Sequence, residues 1–147
     1  MSGRGPRREL ITASAGSGKT FQLTDRYLGL LLAGEKPESI VALTFSRKAA
    51  GEFFDAILQK LAEAASDDKA RGQLNKRLEV NVSADAYRLK LAELLTVMHK
   101  LTLGTLDSFF NRILSRFPLE HGLGGDFSIL DESSLQMELG RALEMLF

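Results

Sequence analysis

Lys19 and Thr20, standing behind two glycines in Ala13-Ser14-Ala15-Gly16-Ser17-Gly18-Lys19-Thr20, are the residues of this chain best placed to do chemistry. An ammonium and a hydroxyl at that spacing suit a polyphosphate. Gly16 and Gly18 permit the backbone dihedrals and the close approach that a Cβ would block, so that N–H groups of residues 13–20 can be aimed at phosphate oxygens. Lys19 would reach the β- and γ-phosphates, and the Thr20 hydroxyl would ligate Mg²⁺. The usual pattern opens on Gly; here Ala13 takes that place. The other reading is a Gly/Ser-rich turn that happens to contain Lys-Thr.

The elements around the loop fit the first reading. Leu10-Ile11-Thr12-Ala13 is a short apolar run with the look of a strand, and an amphipathic stretch opens at Phe21. Leu23, Tyr27, Leu30 and Leu31 share one helical face, and the helix should stop near Gly34. Helix N-termini add unsatisfied N–H donors and a partial positive charge beneath the phosphates. After a polar connection, Ile40-Val41-Ala42-Leu43-Thr44 reads as a parallel strand buried on both faces, completing a right-handed βαβ unit. A second helix follows, with Ala49, Phe53, Ile57 and Leu61 on its buried face.

The turn between that strand and helix is the second candidate site. Thr44 and Ser46 offer hydroxyls, Arg47 and Lys48 charge, and Phe45 a ring. Parallel sheets bind ligands past the carboxyl ends of their strands, cations and hydroxyls hold nucleic-acid phosphates, and a ring can stack on an unpaired base. A capped helix start with a core Phe would use the same residues. Residues 62–84 read as a variable helical excursion broken at Ser66-Asp67-Asp68-Lys69. Residues 85–98 read as a helix whose Leu89, Leu91, Ala92, Leu95 and Met98 pack a core. Leu101-Thr102-Leu103-Gly104-Thr105 alternates like a short strand, and a helix starting near Asp107 runs to Phe117, where Pro118 ends it. Thr105 and Ser108 again place hydroxyls at a strand-to-helix turn.

Gly122-Leu123-Gly124-Gly125 is a flexible joint. Phe127-Ser128-Ile129-Leu130-Asp131-Glu132 imitates a strand carrying an ATPase acid pair, but Asp131 or Ser133 fits better as the cap of a final helix bearing Leu135, Leu139, Leu143 and Leu146. That helix stops on Phe147 without a terminator, as if cut from a longer protein. Residues 1–8 read as a flexible basic lead-in.

Composition limits the partners. The 147 residues suit one domain, with 44% hydrophobic and 26% charged residues and zero formal net charge, so a nucleic-acid site must be a local patch. Without cysteine there is neither disulfide nor thiolate metal site. His99 and His121 are isolated, without a local ligand cluster. No apolar run is long enough to span a bilayer and no signal sequence opens the chain, so the expected location is cytoplasmic, without membrane contact.

Three motifs in order resemble UvrD/Rep-type superfamily-one DNA helicases. Residues 13–20 resemble motif I, in wording shared with the RecB/AddA helicase–nuclease branch. Leu43-Thr44-Phe45-Ser46-Arg47-Lys48-Ala49-Ala50-Gly51-Glu52-Phe53 looks like motif Ia, with Arg47 where Asn is common. Gly104-Thr105-Leu106-Asp107-Ser108-Phe109 looks like motif Ib, and Phe127–Glu132 resembles the segment leading to an inserted helical subdomain. The resemblance covers the chain from residue 9. It implies a partial α/β domain of the P-loop NTPase (RecA-like) type, a parallel sheet flanked by helices. Residues 9–126 would be the N-terminal part of the ATP-binding 1A domain, with the excursion at about 62–98, and residues 127–147 the exit segment. It further implies ATP and Mg²⁺ at residues 13–20, with Lys19 and Thr20 as the catalytic pair and Thr20 on the metal. Thr44, Phe45, Ser46, Arg47, Thr105 and Ser108 would then face single-stranded DNA, and nuclease or helicase subunits would be partners in recombination and repair. The family's upstream adenine-reading Gln has no counterpart in residues 1–8, and no Asp-Glu-x-Gln-Asp motif or second motor domain is present. Two other classes compete: a complete small P-loop kinase using Asp131 and Glu132, and a binding module that takes no nucleotide.

Overall fold

A computed structural model describes residues 18–124, 127 and 132–145. The chain divides into two compact units, Met1–Thr105 and Leu106–Phe147, which are taken one at a time.

The first unit begins, among the described residues, with α1 (Lys19–Leu32). Its end is set by Gly34, whose φ of +101° is open to glycine and strained for other residues. Gly34 N–H donates to Leu31 O at 3.2 Å and Glu35 N–H to Leu30 O at 3.1 Å, the two bonds of a Schellman motif. Pro37–Ser39 forms one 3₁₀ turn and leads into β1 (Val41–Thr44). Next come α2 (Arg47–Ser66), α3 (Asp68–Leu78), α4 (Ala84–Thr96) and, after a 3₁₀ turn at Met98–Lys100, β2 (Thr102–Thr105). β1 and β2 pair in parallel, Val41 opposite Thr102 and Thr44 opposite Thr105. This is an α/β unit with a small parallel sheet. The strand expected at residues 9–13 lies outside the described residues.

Local signals account for the boundaries. Ser46 caps α2, its Oγ accepting from Ala49 N–H at 3.1 Å. The break expected at residues 66–69 is a single residue: Asp67 N–H donates to Glu63 O, closing α2, while its carboxylate accepts from Lys69 N–H at 2.9 Å, opening α3. Phe53, Ile57 and Leu61 form the buried stripe of α2, with Ala49 half-buried. Tyr27 of α1 meets Phe53 edge-on at 5.7 Å between ring centroids.

Three faces differ from the sequence expectation: β1, expected to be buried on both faces, leaves Val41 exposed, and two helices turn differently. On α1 the buried residues are Thr24, Tyr27, Leu28 and Leu31, while Leu23 is exposed and Leu30 half-buried. Thr24 can enter the core because its hydroxyl donates to Thr20 O at 2.7 Å, satisfying its own polar group. On α4 the buried residues are Tyr87 and Leu94, with Leu91 half-buried, whereas Leu89, Ala92, Leu95 and Met98 are exposed. Tyr87 turns the helix: its hydroxyl donates to Asn75 Oδ1 at 2.8 Å, and Asn75 Nδ2 donates to Val82 O at 3.0 Å, joining α3 to the segment before α4. Burial pushes the Tyr87 phenol up, with the Arg71 charge acting in the opposite direction.

The second unit contains α5 (Leu106–Arg116), a 3₁₀ turn at Leu119–His121 after Pro118, and α6 (Glu132–Glu144). No residue of α5 is buried, and Leu135, Leu139 and Leu143 of α6 are exposed. Among the described residues no helix is long and apolar enough to cross a membrane.

Tyr27 provides a test of the core. Its hydroxyl is buried without a hydrogen-bond partner among the described residues, and burial pushes its phenol up from 10.0 to about 12. Tyr27→Phe loses no hydrogen bond and removes a desolvated hydroxyl, so it should leave the fold as stable as before or up to about 1 kcal/mol more stable. Because the unfolded phenol ionises first, Tyr27 should contribute a loss of stability as pH rises from about 10 to about 12, and Tyr27→Phe should show a smaller loss, keeping only the part due to Tyr87. Urea titrations across this pH range check both; a Tyr27→Phe chain destabilised by more than about 1 kcal/mol at neutral pH contradicts the assignment.

Candidate functional site

Of the expected phosphate loop, Gly18, Lys19 and Thr20 are described; Ala13, Ser14, Ala15, Gly16 and Ser17 lie outside the described residues. Gly18 takes φ +80°, ψ 22° immediately before α1, a left-handed conformation that costs other residues about 1–2 kcal/mol. Lys19 and Thr20 are the first two helical residues, both exposed. The helix start has no side-chain cap and no acidic residue in its first turn. Its N–H groups and its positive end are thus available to an anion, and no carboxylate of that turn competes. These residues fit an Mg²⁺–triphosphate: Lys19 as the phosphate cation, Thr20 as a hydroxyl ligand.

The second cluster sits where β1 gives way to α2. The Phe45 ring is 91% exposed. Thr44 Oγ donates to Ser46 O at 2.9 Å, with Gly104 O a longer alternative at 3.4 Å, so its single proton braces the turn. Ser46 Oγ accepts the cap bond from Ala49 N–H, which leaves its own proton for a ligand. Arg47 and Lys48 are exposed; Lys48 lies 3.8 Å from Glu52, an exposed pair that holds it weakly. Thr105 is the sheet partner of Thr44, so two hydroxyl residues stand side by side at the carboxyl ends of the two strands. In the second unit Ser108 is exposed in the first turn of α5, one residue after the carboxylate of Asp107.

The structure keeps the start of α1 apart from the 44–48 turn. Tyr27 meets Phe53, whereas Phe21 and Asp25 meet Lys60, so α1 and α2 run in opposite directions. Lys60 lies about 20 Å along α2 from Arg47 at about 1.5 Å per residue. The contacts that Lys60 makes were not anticipated from sequence. Its Nζ is 2.7 Å from Asp25 Oδ1, 3.4 Å from Phe21 O and 3.7 Å from the Phe21 ring centroid. Sequence separation hides such a cluster, since no periodicity links residues 21 and 25 to residue 60.

Two further features belong to neither cluster. A cavity of ≈ 250 Å³ is lined by Ala50, Gly51, Phe54, Met98, Leu101 and Leu103, all apolar or lacking a side chain. Of the acid pair, Asp131 lies outside the described residues and Glu132 opens α6. Among the described residues no three His, Asp or Glu gather as a metal site.

Comparison with known proteins identifies the lineage. A family model described as the UvrD/REP helicase N-terminal domain matches residues 5–146. The chain belongs to that family. Two relatives named as ATP-dependent helicase/nuclease subunits are similar to it: one from Streptococcus sanguinis is 33% identical over 135 residues, covering 90% of this chain and 10% of the relative. One from Lactobacillus gasseri is 32% identical over 135 residues, covering 91% and 10%. The chain thus spans about a tenth of the length of these relatives. No solved structure matches.

Ser46 supplies the test of this local geometry. Ser46→Ala should cost about 1 kcal/mol of stability through the lost cap, while Ser46→Asp, which can accept from Ala49 N–H, should restore it. Equal denaturation midpoints for the unaltered, Ser46→Ala and Ser46→Asp chains would show that the cap contributes nothing.

Proposed function

We propose that this chain is the ATP-binding, single-stranded-DNA-contacting N-terminal segment of an ATP-dependent DNA helicase or helicase–nuclease acting in recombination and repair. The observation that carries the proposal is the start of α1: Gly18 in a left-handed conformation, then Lys19 and Thr20 on an uncapped, acid-free helix terminus. Family membership supports the nucleotide as ATP and the parent as a helicase. On this reading residues 13–20 form the phosphate loop, residues 9–13 add a strand to the parallel sheet of a RecA-like domain, and Mg²⁺ binds at Thr20.

The DNA side follows from the 44–48 turn. Ser46 donates to a phosphate, Arg47 supplies charge, and Phe45 stacks on a base; Thr44 holds the turn by its bond to Ser46 O. Thr105, the sheet partner of Thr44, extends the track, and Ser108 of the second unit is proposed as a further DNA contact. Bound Mg²⁺–ATP would bring the hydrolysable phosphoanhydride and a Lewis-acidic metal. This chain's residues orient it: Lys19 neutralises phosphate charge and the helix N–H groups hold the oxygens. A water-positioning carboxylate and an arginine finger are expected outside residues 1–147, so the chain itself should bind rather than turn over. Partner subunits, as in a helicase/nuclease, belong to the longer parent.

The tests are direct. Lys19→Ala should weaken Mg-ATP binding by about 10- to 100-fold, the equivalent of a charge-assisted contact of about 1.5–3 kcal/mol. Calorimetry showing equal affinity for both chains refutes the loop assignment, and phosphate release stimulated by single-stranded DNA from the unaltered chain refutes the claim that it only binds. Phe45→Ala should lower affinity for an oligo-dT by about 1–3 kcal/mol, the worth of one stacked base. Binding that weakens with salt but ignores Phe45→Ala would leave only phosphate contacts at this turn.

A further inference from the structure

We propose that Lys60 is a positioning residue that holds the first turn of α1, and through it Lys19 and Thr20, in place for the phosphates. The proposal rests on the phosphate-binding reading above and adds to it a residue from the far half of α2.

The first turn of α1 is short of internal support. Gly18 is its N-cap, no side chain caps it, and none of its residues is acidic. Thr24 ties to Thr20 O, a bond within the helix that does not anchor the turn to its surroundings. The anchor comes from outside. The Lys60 ammonium has three donors. One reaches Asp25 Oδ1 at 2.7 Å, a second is 3.4 Å from Phe21 O, and the Phe21 ring presents its face at 3.7 Å. Arg77 of α3 closes the cluster, its Nε 3.4 Å from Asp25 Oδ2 and its guanidinium carbon 4.7 Å from the ring centroid.

Burial makes this more than a surface pair. The Lys60 and Asp25 side chains are 14% and 17% exposed, so solvent screens their attraction less than it screens an exposed pair. Phe21 directly follows Thr20, so holding the Phe21 ring and carbonyl restrains the residue next to the proposed Mg²⁺ ligand. The sign of the field also fits. A cation beside a helix N-terminus is repelled by the helix dipole, and Asp25 compensates. Two cations against one carboxylate still leave the cluster with one net positive charge, which favours an incoming polyphosphate.

The experiment compares the unaltered chain with Lys60→Met, which keeps an apolar stem and removes the ammonium, and with Lys60→Arg, which keeps the charge. Hydrogen–deuterium exchange of the apo chain should show faster exchange at residues 22–25 in Lys60→Met, with residues 28–31 unchanged. Mg-ATP affinity, measured well below the melting temperature, should fall about three- to tenfold in Lys60→Met, as for loss of one or two hydrogen bonds, and should be largely retained in Lys60→Arg. In a Lys19→Ala background Lys60→Met should have little further effect on Mg-ATP. If the unaltered chain binds Mg-ATP and Lys19→Ala does not, the phosphate reading stands on its own. Equal Mg-ATP affinity for the unaltered and Lys60→Met chains then overturns this inference alone, as does a Lys60→Arg chain as weak as Lys60→Met. Uniformly faster exchange along α1 and α2 would show a merely structural role and overturn it too. A chain that binds no Mg-ATP fails the phosphate reading, and this inference with it.

Discussion

The first unit depends on one packed stripe. Phe53, Ile57 and Leu61 of α2 are essentially removed from solvent, and α1, α3, α4, β1 and β2 all pack against the helix that carries them. Each of those side chains contributes about 1.5–3 kcal/mol on burial, and none of the neighbouring elements could bury its own apolar face alone. The stripe thereby fixes where the ends of α2 lie. Its start is set by the Ser46 cap beside the exposed Phe45 ring, and its far half reaches the opening turn of α1. One rigid helix therefore spans from the proposed DNA-contacting turn to the proposed phosphate-binding turn.

That arrangement explains how the two candidate clusters can be chemically alike and yet separate. Both sit at the N-terminus of a helix, where unpaired N–H groups and the dipole favour anions. At the 44–48 turn Thr44 stabilises the backbone, while Arg47 and the Phe45 ring stay exposed and Ser46 caps the helix. At the start of α1 the support comes from the side, through Phe21 and Asp25 to Lys60 and Arg77. The apolar cavity near Ala50 and Leu103 has no polar side chain that could orient a nucleotide.

The features readable in the sequence were those fixed by neighbouring residues. Gly34 as a helix stop, Ser46 as a cap and the break at Asp67 each depend on bonds spanning a few residues, and each falls where the pattern put it. That residues 41–44 and 102–105 are strands of a parallel sheet was also readable, because short apolar runs separated by a helical crossover have few other arrangements; that they are each other's neighbours was not. The buried faces of α1 and α4 were misread because polar groups entered the core. Thr24 does so by bonding back to Thr20 O, and Tyr87 by reaching Asn75. A periodicity search that counts only apolar residues rejects Thr24 and prefers Leu23 and Leu89. The Lys60 cluster was beyond reach for a different reason: its bonds span 35 and 39 residues, and charge alone marks Lys60 as one lysine among many.

Within the first unit the placement of carboxylates separates the two helices proposed to face anions from the other two. α3 and α4 carry Asp68 and Asp85 in their first turns, the usual way to complement a helix dipole. α1 and α2 carry none. An acid there would stabilise the isolated helix by about 0.3–1 kcal/mol, and it would also occupy the N–H groups and repel a phosphate. Leaving it out keeps the anion site open but removes a support from the turn that must be most accurately placed. α2 recovers that support with a serine cap, whose neutral hydroxyl still has a proton to donate. The N-cap of α1 is Gly18, which has no side chain to cap with, and among the described residues the support of its first turn is non-local and brings no negative charge there. The Lys60 ammonium on the Phe21 carbonyl and ring supplies it, and Asp25, one turn further along the helix, keeps the carboxylate that balances it away from Lys19 and Thr20.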